Sequence, residues 1–155
     1  MLLLLFNTFK EQYAINCALV REVIPYLNLQ PIPMTPSYIR GAVNLRGTPI
    51  PVIDLSKLLD HKSCRSFLST RIILINYTND SSGAMRTIGL LAEKVTDTVK
   101  TPKNWSPDLN NESPYFIDLT IINREMVQWF EPTKMLPKDL AKILFMEYSY
   151  PKDLS

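Results

Sequence analysis

Few residues in this chain could do covalent chemistry. His61 is the only histidine and stands three residues before Cys64 in D-H-K-S-C-R-S. A Cys–His nucleophile pair needs the base held against the thiol, and spacing inside a polar stretch supplies no such geometry. The stretch reads as a solvated loop. One histidine with two distant cysteines, Cys17 and Cys64, fits no zinc spacing and no C-x-x-C motif, so both are expected to be reduced thiols of a cytosolic protein. Asp54 precedes L-S-K-L-L and suits a helix N-cap better than a general acid. Glu131, before Pro132, has the same reading. The four glycines are scattered and G-x-x-x-x-G-K-S/T is absent, so no phosphate loop exists. The expectation is a protein that is not an enzyme, with no cofactor and no metal.

Binding chemistry is more promising. Tyr38, Arg40 and Arg46 lie close in sequence, as an oligonucleotide-binding small barrel would have them. Seventeen basic against fifteen acidic residues leave a net charge of +2 with no Lys/Arg cluster, which argues against nucleic acid. Protein binding remains. Arg46 stands beside Gly47, where a guanidinium can reach outward with five donors. The competing role for Arg46 is a local ion pair with Glu22. Val20 and Val23, three apart with Glu22 between them, suit an interface or a core equally.

The element that must position these groups is Tyr38–Leu55, Y-I-R-G-A-V-N-L-R-G-T-P-I-P-V-I-D-L. It reads as strand, tight turn at Arg46-Gly47, and strand, with Gly41 removing a side chain where another backbone approaches. Pro49 and Pro51 cannot donate to a ladder, which predicts an edge strand or a strand beginning. Leu2–Phe6 is an apolar run too short to cross a membrane and suits a buried strand. Tyr13, Ile15 and Cys17 alternate on a return strand, and Ala18–Ile24 suggests a helical turn ended by Pro25. Arg71–Tyr77 is a strand, Thr78–Met85 an exposed loop, and Thr87–Val99 a returning strand with an irregular second half. In the Pro/Asn-rich loop 100–114, Trp105 is expected to anchor in the core. Tyr115–Ile122 and Met126–Phe130 form a hairpin, and Pro137 opens a C-terminal helix over 137–148.

A repeat underlies this order. Tyr38 aligns with Tyr115, Asp54 with Glu131, Lys57 with Lys134, Leu58 with Met135 and Leu59 with Leu136. With other offsets, Leu2–Leu5 lies over Ile72–Ile75, and Val20-Arg21-Glu22 over Val95-Thr96-Asp97. Two similar β-units of short strands and polar turns predict a sandwich or barrel.

The V-R-E-V segment, the Pro-rich P-I-P-M-T-P, the N-L-R-G turn with P-V-I-D-L, and G-L-L-A-E-K-V occur in one order. Together they resemble a CheW-type chemotaxis coupling domain over about residues 6–136. The resemblance implies an all-β fold of two small SH3-like five-stranded barrels side by side, with short helices and a C-terminal helix. One CheW-like domain would span 1–155, with subdomains of about 1–67 and 68–136. It also implies a cytoplasmic, non-catalytic adaptor that docks on a CheA-type histidine kinase regulatory domain and on a methyl-accepting chemoreceptor's cytoplasmic tip. No nucleic acid and no membrane insertion are implied. By that resemblance Val20, Glu22, Gly41, Asn44 and Arg46 are the partner-binding candidates. Departures from the family pattern fall at Glu93, usually Asp, and near Asp118-Leu119, often Gly. The alternatives are a scaffold of a pilus-motility or other chemosensory-like pathway, or an oligonucleotide-binding small-barrel module.

Overall fold

The computed structural model describes residues 1–78, 85–101, 105, 116–132 and 135–146. Its strands are β1 (Leu2–Asn7), β2 (Gln12–Asn16), β3 (Val20–Pro25), β4 (Ile39–Leu45), β5 (Thr48–Asp54), β6 (Arg71–Tyr77), β7 (Arg86–Ala92), β8 (Lys94–Lys100), β9 (Phe116–Ile122) and β10 (Glu125–Phe130). Helix α1 (Leu55–Asp60) follows β5, and α2 (Lys138–Met146) follows β10. The strands form two five-stranded sheets, in the orders β8-β1-β2-β10-β9 and β3-β6-β7-β5-β4.

These sheets do not follow a division of the chain near residue 67. Hairpin β1–β2 pairs with the three strands β8–β10, and hairpin β6–β7 pairs with β3–β5. Each half of the sequence thus lends its first hairpin to the other half's sheet. Strand pairing, rather than chain order, defines the two sheets.

Within that exchange the repeat holds residue by residue. Phe6 faces Val95 as Ile75 faces Val20, and Leu3 faces Val99 as Ile72 faces Ile24. Ala14 lies beside Trp129 in parallel pairing as Gly89 lies beside Val52. Asp118 faces Trp129 as Gly41 faces Val52, with a bulge at the matching place in each hairpin. Ile53 and Phe130 are therefore equivalent, and Asp54 and Glu131 follow them. Leu58 and Leu59, like Met135 and Leu136, pack on the core shared by the sheets. Lys134 and Tyr115 lie outside the described residues. The alignment of Leu2–Leu5 over Ile72–Ile75 is off by one, since Leu3 occupies the place of Ile72. A one-residue slip turns every side chain to the other face.

Alternation along the strands sorts the apolar residues into three cores. Leu4, Phe6, Tyr13 and Ile15 of one sheet meet Ile53, Ile73, Ile75, Ile88 and Leu90 of the other, with α2 adding Leu140, Ala141 and Leu144. The opposite faces close on themselves: Leu3, Leu5, Ala14, Trp105, Val127 and Trp129 in one sheet, and Val43, Ile50, Val52, Ile72, Leu74 and Leu91 in the other. Trp105 is buried, as expected, and its indole N–H donates to Asp118.

Three expectations for local structure change. Residues 18–24 are mostly the strand β3, because Val20, Glu22 and Ile24 alternate with exposed neighbours and only Cys17–Leu19 coils as a 3-10 turn. Thr87–Val99 is two strands in different sheets, parted at Glu93. Strand β5 is internal, yet β7 pairs only with Val52–Asp54, so Pro49 and Pro51 leave no broken ladder on that side.

Candidate protein-binding site

Arg46 and Gly47 form the two-residue turn between Leu45 and Thr48, with φ of 50° and 85°. Positive φ at both central residues is the type I′ geometry that matches strand twist. Asn44 stabilises the turn: its Oδ1 accepts the Gly47 N–H at 2.9 Å. From this turn Arg46 extends to β3, where its Nη2 donates to Glu22 Oε1 at 3.2 Å and Oε2 at 3.4 Å. The pair is solvent-exposed, at 71% for the arginine side chain and 37% for the glutamate.

Of the five candidates, Glu22, Asn44 and Arg46 therefore converge on one rim of the second sheet. Val20 is half-buried and packs on the shared core. Gly41 is buried, with φ of 143°, and an added Cβ would stand 2.5 Å from the Gln30 carbonyl oxygen. The backbone that approaches Gly41 is the chain's own. Gln30 and Ala42 exchange hydrogen bonds at 2.9 and 2.8 Å, bringing the segment after β3 against edge strand β4. The Glu22–Arg46 pair joins the same two edges a few residues away.

Beside this rim is a cavity of about 250 Å³ whose lining includes Thr48, Pro49, Arg86, Thr87 and Phe145. Arg21 donates to the Thr87 hydroxyl, and the Arg86 guanidinium lies over the Phe145 ring at 5.4 Å. The rim thus combines the exposed Arg46 guanidinium, with Arg21 and Arg86 beside it, with apolar surface, a composition suited to a carboxylate-bearing protein partner.

The residues first considered for catalysis hold the fold. Asp54 is buried and caps α1, its Oδ1 accepting the Lys57 N–H at 3.0 Å. Its Oδ2 takes the Arg40 guanidinium and the Cys64 N–H, each at 2.9 Å. His61 is the left-handed residue that ends α1, with φ of 60°. Cys64 is buried, and burial followed by the nearby Asp54 and Glu93 charges pushes its thiol up to about 12. No group of three or more His, Cys, Asp or Glu among the described residues is placed to hold a metal.

The sequence marks Glu93 only as a departure from the family pattern, whereas the structure makes it half of an ion pair with Arg65. Glu93 is buried and receives Arg65 Nε and Nη2, both at 2.8 Å, and the Arg65 N–H at 3.0 Å. Arg65 in turn lies over the rings of Phe9 and Phe67 at 4.5 and 4.9 Å. The arginine hydrogen bonds hold the Glu93 carboxyl below its usual range. The signal available was Glu93 itself, a carboxylate following the apolar run G-L-L-A and needing a cation.

Three comparisons bear on this architecture. The model of the CheW-like domain family matches residues 2–140. The chemotaxis protein CheW of Rhizobium meliloti (strain 1021) is 30% identical over 95 residues, 61% of this chain and 57% of that protein. That of Helicobacter pylori (strain ATCC 700392 / 26695) is 28% identical over 131 residues, covering 83% and 77%. The match to the first relative spans little more than half its length. The crystal structure of scaffolding protein TtCheW from Thermoanaerobacter tengcongensis superposes with a TM-score of 0.74, at 23% identity, over 90% of this chain and 89% of that one. That superposition confirms the arrangement of the two sheets, and the family match runs through the N-L-R-G turn, β3 and the exchanged hairpins alike. This chain belongs to the CheW-like domain family.

Proposed function

We propose that the chain is a non-catalytic adaptor that couples methyl-accepting chemoreceptors to a CheA-type histidine kinase, acting in the cytoplasm through assembly alone. The observation that carries this reading is the Arg46 rim. A hairpin turn held by Asn44 presents a largely exposed guanidinium beside a half-apolar cavity. Such a surface offers bidentate recognition with a desolvated apolar neighbour, and no substrate chemistry. The relatives' names, chemotaxis protein CheW and a scaffolding protein, point the same way. Among the described residues, no helix is long and apolar enough to cross a membrane.

The test is binding of the purified chain to a kinase regulatory domain and to a receptor tip fragment, with Arg46→Ala beside the wild type. Saturable binding of both, weakened in the variant, supports the adaptor reading. Failure of the wild-type chain to bind either protein refutes it. A salt-dependent shift of an oligonucleotide would favour a nucleic-acid module instead.

A further inference from the structure

Arg46 already has a carboxylate on its own chain, in Glu22. A neighbouring cation has none. Arg86, at the start of β7, is exposed, and among the described residues no carboxylate lies within ion-pairing distance of it. Its guanidinium rests over the Phe145 ring, a contact that uses none of its five N–H donors. Arg21 donates to the Thr87 hydroxyl oxygen next door, which leaves that hydroxyl its own proton to give.

These groups meet at the cavity of about 250 Å³ beside the Arg46 turn. Arg86, Thr48 and Thr87 form the polar part of its lining, and Pro49, Met85 and Phe145 the apolar part. Among the described residues of this rim, Arg21, Arg46 and Arg86 stand against Glu22 alone, a surplus equal to the +2 net charge of the whole chain. The cavity therefore offers apolar walls, a guanidinium with unused donors and a positive surround.

We infer that this cavity takes the side chain of a glutamate or aspartate of the docked protein, with its carboxylate on Arg86 and the Thr87 hydroxyl. The side chain's methylenes then lie against Pro49 and Phe145. The inference rests on the adaptor reading and names the partner group that meets this rim. A planar guanidinium matches a carboxylate with two parallel hydrogen bonds. A partner's cation would meet a surplus of like charge, and a wholly apolar side chain would strip water from Arg86 without replacing its hydrogen bonds. Because Phe145 belongs to α2, the C-terminal helix is a wall of the docking site as well as a cover for the core.

The experiment measures binding of the full chain to a kinase regulatory domain and to a receptor tip fragment, at low and high salt, for the wild type, Arg86→Gln and Arg86→Glu. Arg86→Gln should melt within about 2 °C of the wild type, as an exposed substitution does. Its affinity for one of the two proteins should fall roughly thirtyfold or more, the loss of a charge partner that binding desolvates. That affinity should also depend less steeply on salt than the wild type's. A panel of that protein's exposed Asp and Glu residues, each changed to Lys, should contain one change that restores binding to Arg86→Glu. Affinities of Arg86→Gln within about twofold of wild type for both proteins overturn the inference and leave the adaptor reading standing. So does a panel with no restoring change. A wild-type chain that binds neither protein overturns the adaptor reading, and this inference with it.

Discussion

Replacing Gly41 by alanine should unfold the protein measurably while leaving its surface chemistry untouched. The new Cβ would stand 2.5 Å from the Gln30 oxygen, 3.0 Å from its carbonyl carbon and 3.2 Å from Leu29 Cβ. What blocks it is backbone, so the Gln30 segment must move away. That segment is held by its two hydrogen bonds to Ala42, whose loss costs about 1 kcal/mol each. Holding alanine at a φ of 143° adds about 1–2 kcal/mol of strain. The sum is roughly 3–4 kcal/mol. In a chain of 155 residues each kcal/mol lowers the melting temperature by about 2–4 °C, so a drop of roughly 6–16 °C is expected. Thermal unfolding followed by circular dichroism gives the number, and partner affinity measured on the folded fraction should stay near wild type. A variant melting within about 2 °C of wild type yet failing to bind a kinase domain would make Gly41 a contact residue and refute the packing argument.

Arg46→Ala should cost only about 0.2–1 kcal/mol of stability, because its pair with Glu22 is exposed, and a double-mutant cycle with Glu22→Ala should return a coupling of that size. Any partner that buries Arg46 against a carboxylate should lose roughly 2–5 kcal/mol of affinity, and an unchanged affinity would remove the arginine from the interface. The lowered Glu93 carboxyl contributes stability above the unfolded glutamate value near pH 4.3, and that contribution is lost as pH falls through the folded value. Acid unfolding of Glu93→Gln should lack this component, and a parallel pH profile would contradict it. Cys64, buried with its thiol near 12, should resist alkylation at pH 8 in the native protein and react once denaturant unfolds it, which mass spectrometry of the labelled chain will show.

The hairpin of β4 and β5 was legible because its turn residues state their geometry: Arg46-Gly47 admits positive φ, and Asp54 announces the next helix. The repeat was legible at Asp54 and Glu131, where apolar and charged residues alternate in a shared rhythm. It slipped at Leu2–Leu5, since four identical leucines carry no alternation from which a register could be read. The exchange of hairpins left no local trace, because strand propensity does not say which sheet a strand will join. At the rim, sequence proposed both fates of Arg46, a local pair and an outward contact; the structure shows the pair, while its exposure leaves the guanidinium within a partner's reach. Gly41 was read correctly as a place of close approach, but which backbone came near is a tertiary matter.

The reciprocal exchange of β1–β2 and β6–β7 also bears on how such a chain could arise and how it must fall apart. A single repeat standing alone would have a hairpin with nowhere to pair and a sheet lacking two of its strands. Two copies could complete each other only as a symmetric swapped dimer, each arm reaching into its mate. Joining the copies end to end turns that association into an intramolecular one, which no dilution reverses. Once joined, the copies are free to diverge at equivalent places, as Arg46 and Asn123 have, while neither can be shed. Proteolysis or truncation that removes one arm takes two strands from the other half's sheet and half of the core the sheets share, so the molecule should melt as one body, without a half-folded intermediate.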